Sequence, residues 1–536
     1  MVKGINNKLF GRRAFLKDTG MISGGLLLLA SKKNLSATSF LEQKASDSGS
    51  GYNGQITGIY VVAPSVVKTG QKFYVSTKML TNRFHVELNC YTKHYPTVSS
   101  STSLSPRYQQ REEDNGFHYQ SDVPDQWQGD LKIESDQAYS GPDVFSFKDK
   151  PGPYPHDTRP ICRIGPMKFV DEGIHFITFT DPITGINKTT NPIYVTSDNS
   201  ESGLFWADIH GHTIFTDGVR TPEEYYYFGR DEAFLDICAL SDHSEFYITD
   251  YMWDYFTAVT NGFNEPDRFV TLQGFEWTNF NTGHRNIYIS GDRFPCIRST
   301  DTKYSTLSAL YKFAEEHGAI VIPHHSATKR MGCDWSLGIN DKIERLLEIY
   351  SDWGSSERPL RPDDPRRING GEKERAFLVD ALEMGLKYGI MASSDMHTGR
   401  PGHSLGRNNN RLLGGLMGVW ADKLDRKSVF EAMWNRRVYG TTGTRTFLKF
   451  SINGKPMGST VKAANLAEVE VRASAEVEIN RIDLVENGSD YKSVEPNKRD
   501  CKWIFKEKLT PQASYYVRIT RADDEYAWSS PIWVEI

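Results

Sequence analysis

The stretch WADIHGHTIFTDG, residues 206–218, sets His210 and His212 two apart and follows them with Asp217. Along an extended strand alternate side chains leave on the same face, so the two imidazoles can reach one point in space. A lone His-x-His carries little information. This one gains weight from five further apolar runs that end in the same residue types. LDICALSDH ends in Asp242 and His243, FVTLQGFE in Glu276, AIVIPHH in His324 and His325, LLEIYSDW in Asp352, and GIMASSDMH in Asp395 and His397. A seventh run, HRNIYIS, carries His284 at its start, after the turn NTGH.

Imidazoles and carboxylates without a nearby thiolate suit divalent Zn, Mn or Fe rather than a structural cysteine-bound zinc. The set exceeds what one tetrahedral ion can take, which implies more than one metal per chain. Two such ions about 3.5 to 4 Å apart can share a water, lower its pKa toward about 7 and clamp an attacked centre and its leaving oxygen. Phosphoester hydrolysis is the reaction such a cluster best explains, and it also needs cations to neutralise the non-bridging oxygens. Arg285 follows His284, Lys329 and Arg330 follow the histidine pair, and Arg400 lies in MHTGRPGH, where His403 is placed to protonate a leaving group. Asp208 and Asp242 point away from the neighbouring histidine on an extended strand and read as structural carboxylates. Asp352 and Glu357 either orient substrate or cap a loop.

The elements that must position these groups are short apolar strands alternating with helices. Thr221-Pro222-Glu223-Glu224 forms a capping box, and STLSALYKFAEEHG and RAFLVDALEMGLKYG end on Gly318 and Gly389 as C-caps would. Strands without polar alternation, separated by helices, predict parallel strands buried on both faces. In a β/α barrel the carboxyl ends of such strands meet around the active site.

The motifs DIHGHTIFTDG, ALSDH, GFEW, IPHH and SSDMHTGRPG, in that order, resemble those of the PHP (polymerase and histidinol phosphatase) superfamily. The resemblance covers residues 203–445 and implies a distorted (β/α)7 TIM-like barrel with metal-dependent phosphoesterase activity. It further implies a first metal on His210, His212, Glu276 and Asp395. Glu276 would bridge to a second metal on His284 and His324, with His325 as the alternative to His324. A third metal would use Asp217, His243 and His397. LLEIYSDWGSSE and the segment from GVWADKLDRK to GTTGTR resemble an exported branch of that superfamily known as a domain of unknown function.

On either side the texture changes. Residues 54–200 and 446–536 read as short alternating strands broken by Gly, Pro and Asn, predicting a β-sandwich-like domain at each flank. Before them, GRRAFLKDTG followed by MISGGLLLLASKK resembles a twin-arginine signal peptide over residues 1–37, with a linker at 38–53. Its apolar run is far shorter than the roughly twenty residues that span a bilayer, so the mature protein is expected to lack a transmembrane segment and to be periplasmic or extracellular.

At 536 residues the chain must divide into several cores. A net charge of −5, from 63 basic and 68 acidic residues, offers no general surface for nucleic acid. The six cysteines show no CxxC spacing, which excludes a disulfide scaffold and leaves room for one bridge. Two other functions stay open. With 11 Trp and 26 Tyr and flanking β-domains, the substrate could be a glycan or glycan ester. Alternatively the chain is a non-catalytic cell-surface binding protein. The expected partner is otherwise a small molecule or oligosaccharide, phosphorylated where the phosphoesterase reading holds.

Overall fold

The computed structural model describes residues 56, 58–80, 127–148, 159–218, 220–246, 248–402, 414–463 and 466–536. The twin-arginine segment, the linker and His403 lie outside the described residues. No helix among the described residues is long and apolar enough to cross a membrane.

In the amino-terminal region, Gly58–Val62, Phe73–Leu80, Ile161–Phe169 and Tyr139–Ser140 pair antiparallel, in that order, in one sheet. Asn187–Thr189, Ile177–Thr180, Asp130–Ser135 and Val144–Ser146 form a second. Alternation along these strands sends Val75, Leu131, Ile164, Met167 and Phe179 into one shared core. Burying each such side chain contributes about 1.5–3 kcal/mol against chain entropy.

The central region contains β1 (Gly203–Asp208), β2 (Ile237–Ala239), β3 (Val270–Trp277), β4 (Arg285–Ile289), β5 (Ile320–Pro323), β6 (Leu346–Ser351), β7 (Gly389–Ala392), β8 (Leu416–Ala421) and β9 (Val438–Thr441). From β2 onward these strands are buried along their whole length, which explains their unbroken apolar character. β1, β2 and β3 pair in parallel. β4 then runs antiparallel to both β3 and β5. Parallel bridges Val321↔Glu344 and His324↔Glu348 join β5 to β6, β6 and β7 are parallel, and the bridge Gly211↔Met396 links the residues following β7 and β1. Seven strands thus follow one another in a circuit.

The alternation with helices is looser than the sequence predicts. α1 (Pro222–Tyr227), α2 (Asp250–Gly262), α3 (Leu307–His317), α4 (Leu378–Glu383) and α5 (Arg426–Trp434) lie between successive strands, but none separates β3 from β4 or β5 from β6. The reversed β4 needs only the turn at residues 278–284, not a helical crossover. α1 has the expected box, with Thr221 capping Glu224 and Glu224 returning to the Thr221 N–H. α3 ends on Gly318 at φ 61°, in the left-handed region glycine favours. Gly389 is a different case: α4 stops at Glu383, and Gly389 is the first residue of β7.

The hydrogen-bonded sheet also continues past the expected boundary at 445/446. β8 pairs antiparallel with β1 on one side and with β9 on the other. The carboxy-terminal strands include β10 (Phe447–Ile452), β11 (Ala467–Glu486), β12 (Lys498–Glu507), β13 (Ser514–Arg521) and β14 (Tyr526–Ser529). β9 pairs with β14, Tyr439 facing Ser529, and the ladder runs on through β13, β11 and β10. An apolar edge at β9 left open would invite foreign pairing, and β14 covers it. Arg445 fastens the other flank, donating to the Tyr60 hydroxyl and the Ala233 carbonyl.

Candidate metal centre

His210 and His212 follow β1 and face Glu276, the penultimate residue of β3, and Asp395 beyond β7. Nε2 of His210 stands 3.4 Å from Glu276 Oε2 and 3.5 Å from Asp395 Oδ1. Nε2 of His212 stands 3.5 and 3.2 Å from the same two oxygens. The other oxygen of Glu276, Oε1, lies 2.9 Å from His284 Nδ1, 3.1 Å from His243 Nδ1 and 3.6 Å from His324 Nε2. One carboxylate therefore faces two sets of imidazoles, one with each oxygen.

His284 reaches this point because β4 runs backwards. Its amino end meets the carboxyl ends of the other strands, which accounts for the one histidine that stood at the start of its run. A third group gathers beside these, with Asp217 3.5 Å from His243 Nε2 and 3.2 Å from His397 Nε2. Ligand atoms of His212, Asp217, His243 and His397 lie within 4.8 Å of one another, and so do those of His210, His212 and Asp395, of His210, Glu276 and His324, and of His284, His324 and His325. These buried groups could hold metal ions. His325 joins the set alongside His324 rather than in place of it.

The donor atoms fit such ions in a further respect. His210 Nε2, His212 Nδ1, His284 Nε2, both nitrogens of His324 and Nδ1 of His325 are buried without a hydrogen bond. Unsatisfied buried polar atoms are costly and rare, and here they converge. Burial pushes the Glu276, Asp395 and Asp217 carboxyls up, yet the imidazoles beside them hold all three well below the usual carboxylate range. All three therefore stay ionised against the imidazoles that face them. Burial works against a charged His243, but Glu276 and Asp217 push it up to about 10; His324 is pushed down to about 4 by burial and by His210. Asp395 and His325 adopt φ of 49° and 34°, positions that non-glycine residues hold only where the surroundings impose them.

Residues 405–474 match the family described as "Protein of unknown function (DUF3604)". The chain is similar to uncharacterized proteins of Chlamydia pneumoniae, at 27% identity over 394 residues, and of Chlamydia trachomatis, at 27% over 398. Each alignment takes in 69% of this chain and 63% of the relative, so the chain spans under two thirds of the relatives' length. Among solved structures it is similar to a β-glucuronidase of Bacteroides uniformis, with 8% identity and a TM-score of 0.15 over 90% of this chain and 61% of that one.

All nine residues expected to bind metal come together; of the expected cations, Arg285 does not join them. Arg285 is a correction. Strand alternation turns it to the face opposite His284, where it is buried with Nε 3.3 Å from Glu344 Oε2 and donates to the Thr282 and Gly283 carbonyls. Its charge is engaged within the fold, away from the ligand cluster. Arg400 is buried with its guanidinium carbon 5.1 Å from the centre of the Phe228 ring, and Arg330 is exposed at a turn.

Asp242 accepts from the Thr213 N–H at 2.9 Å and from the Thr216 hydroxyl at 2.5 Å, shaping the loop that presents Asp217. Asp208 accepts from the Ser394 and Gly402 N–H groups at 3.0 and 2.8 Å, holding the loop after β7. Glu357 ties its loop to the carboxy-terminal strands through Tyr516, Arg518 and Trp528. Glu348 is the residue sequence reasoning passed over: in mid-β6 its Oε2 lies 2.9 Å from His210 Nδ1. A carboxylate inside the otherwise apolar run LLEIYS was the available signal. Burial pushes its carboxyl up to about 7.

Proposed function

We propose that this chain is an exported metal-dependent phosphoesterase, its central strands forming a distorted (β/α)7 barrel of the PHP type. The observation that carries the reading is Glu276, with one oxygen toward His210 and His212 and the other toward His284 and His324. Such a bridging carboxylate suits a pair of ions, with Asp395 completing the first site and Asp217, His243 and His397 offering a third. When bound, divalent cations would supply Lewis-acid activation of water and neutralisation of a phosphoryl group.

The protein's own part is preparation. Glu348 fixes the ring of His210, Asp242 and Asp208 fix the loops that carry the other ligands, and the carboxyls of Glu276, Asp395 and Asp217 stay ionised. Arg400 and Arg330 are proposed to neutralise the non-bridging oxygens, and His403 to protonate the leaving group.

The test is hydrolysis of aryl phosphate mono- and diesters by protein loaded with Mn²⁺, Zn²⁺ or Fe²⁺. Activity should disappear in a His210→Ala His212→Ala double variant together with bound metal. Activity that survives that variant, or none with any of the metals, refutes the reading.

A further inference from the structure

Thr278 is the first residue after β3, two beyond Glu276, and is buried. Side chains two apart on an extended chain leave on one face, so its hydroxyl stays beside that carboxylate. Oγ1 donates to Glu276 Oε1 at 3.0 Å and stands 2.7 Å from Nδ1 of His243. A hydroxyl has one proton to give, and an ionised carboxylate has none. The Thr278 proton therefore goes to Glu276, and the oxygen is left to accept from His243. In a neutral His243 this puts the ring proton on Nδ1 and leaves Nε2 as the lone-pair nitrogen.

Nε2 is the nitrogen that faces the third group, 3.5 Å from Asp217 Oδ1. His397 is held in the same sense, with Nδ1 3.1 Å from the Asp395 carbonyl and Nε2 3.2 Å from Asp217 Oδ2. The backbone of Thr278 is clamped from both sides. Its N–H donates to Glu245 Oε2 at 3.0 Å, the other oxygen of Glu245 accepts from the Ser299 N–H at 2.8 Å, and the Ser299 hydroxyl donates to the Thr278 carbonyl. Metal-binding imidazoles ordinarily give their second ring N–H to a carboxylate, a carbonyl or water, which fixes tautomer and angle. Here a threonine takes that place, and the same hydroxyl touches the carboxylate that faces the other imidazoles.

We infer that Thr278 is a positioning residue: it holds His243 with the proton on Nδ1, so that Nε2 is offered to a cation beside Asp217 and His397, and it ties that third group to Glu276. The inference rests on the metal-dependent reading of the centre and deepens it, since it assigns the device that prepares one of the ligands.

Zinc-loaded protein tests it by two measurements, neither of which needs turnover. Titration against a chromogenic chelator first identifies the ion of the third group as the one that Asp217→Asn releases. Thr278→Val should weaken that same ion about tenfold, because the ring can then turn toward Glu276 Oε1, 3.1 Å from the same nitrogen. Thr278→Ser keeps the hydroxyl and should bind the ion as the parent does. Thr278→Ala serves in place of Thr278→Val should the latter not fold. Nitrogen NMR of ring-labelled histidines then reads the tautomer: the His243 signals, assigned by their loss in His243→Gln, should show a proton on Nδ1 and none on Nε2.

Unchanged affinity in Thr278→Val, a loss spread evenly over all bound ions, a loss that Thr278→Ser shares, or a proton on Nε2 overturns the role of Thr278 alone. So does a parent that binds zinc and loses none in Asp217→Asn. A parent that binds no zinc, manganese or iron overturns the metal-dependent reading, and the positioning role falls with it.

Discussion

Glu348 Oε2 stands 2.9 Å from His210 Nδ1, joining two residues 138 positions apart in the chain. With Nδ1 engaged, His210 presents Nε2 to Glu276 and Asp395. Partners of this kind fix the tautomer and angle of a metal-binding imidazole, and their loss costs about 10–100-fold in metal affinity. Glu348→Ala should weaken binding by that factor in competition with a chromogenic chelator, with the fold retained by circular dichroism. Unchanged affinity would mean that the contact has no role in orienting the ring.

Asp242 holds the backbone of Thr213 and the hydroxyl of Thr216 on the approach to Asp217. Asp242→Ala should release that loop and remove Asp217 from His243 and His397, leaving His210, His212, Glu276 and Asp395 in place. Elemental analysis should then find about one metal fewer per chain than in the parent protein. Equal metal content in the two proteins would show that the loop is held by other means.

Most of the candidate ligands were legible in the sequence because they sit at or just past a strand end, where an abrupt polar residue after an apolar run is conspicuous; Asp217, nine residues beyond Asp208 in a loop, is not marked in that way. His284 looked exceptional only because strand direction is not written in composition: Arg285–Ile289 has the same residue types whether it runs with its neighbours or against them. Arg285 was misplaced for a related reason. Its neighbour is a candidate ligand, but adjacent strand residues face opposite ways, and Glu344 lies 59 positions further along the chain. The continuation of the sheet from Val438–Thr441 into Tyr526–Ser529 depends on long-range pairing, which local pattern does not encode.

Asp236 gives a pH-dependent prediction away from the ligands. Burial pushes its carboxyl up to about 6, against the Trp206 N–H that donates to it and the nearby Arg445. The folded protein therefore holds this proton more tightly than the unfolded chain does. That advantage is fully present below the ordinary aspartate value and is lost as pH rises through about 6. Above it, ionised Asp236 costs the fold about 3 kcal/mol, the equivalent of the shift. Asp236→Asn keeps an acceptor for Trp206 and removes the charge, so it should raise the unfolding midpoint at pH 8 and change it little at pH 4. An equal effect at both pH values would rule out ionisation as the cause.

Arg285 and Glu344 provide the test that separates a structural cation from a catalytic one. The pair is buried, and Glu344 also accepts from the hydroxyls of Tyr311 and Tyr388, so three side chains from separate parts of the chain meet on one carboxylate. Removing one member of a buried pair strands the other charge, at a cost of about 3–5 kcal/mol, whereas replacing both with apolar residues of similar volume is often neutral. Arg285→Met should accordingly lower the thermal midpoint by about 10 °C. The double variant Arg285→Met Glu344→Leu should recover much of that loss, less the share owed to the two tyrosine hydroxyls. Binding of inorganic phosphate to whatever fraction remains folded should be unaffected in either variant. Should Arg285→Met instead leave stability untouched and abolish phosphate binding, the guanidinium would belong to the site after all, and the assignment of its charge to Glu344 would be wrong.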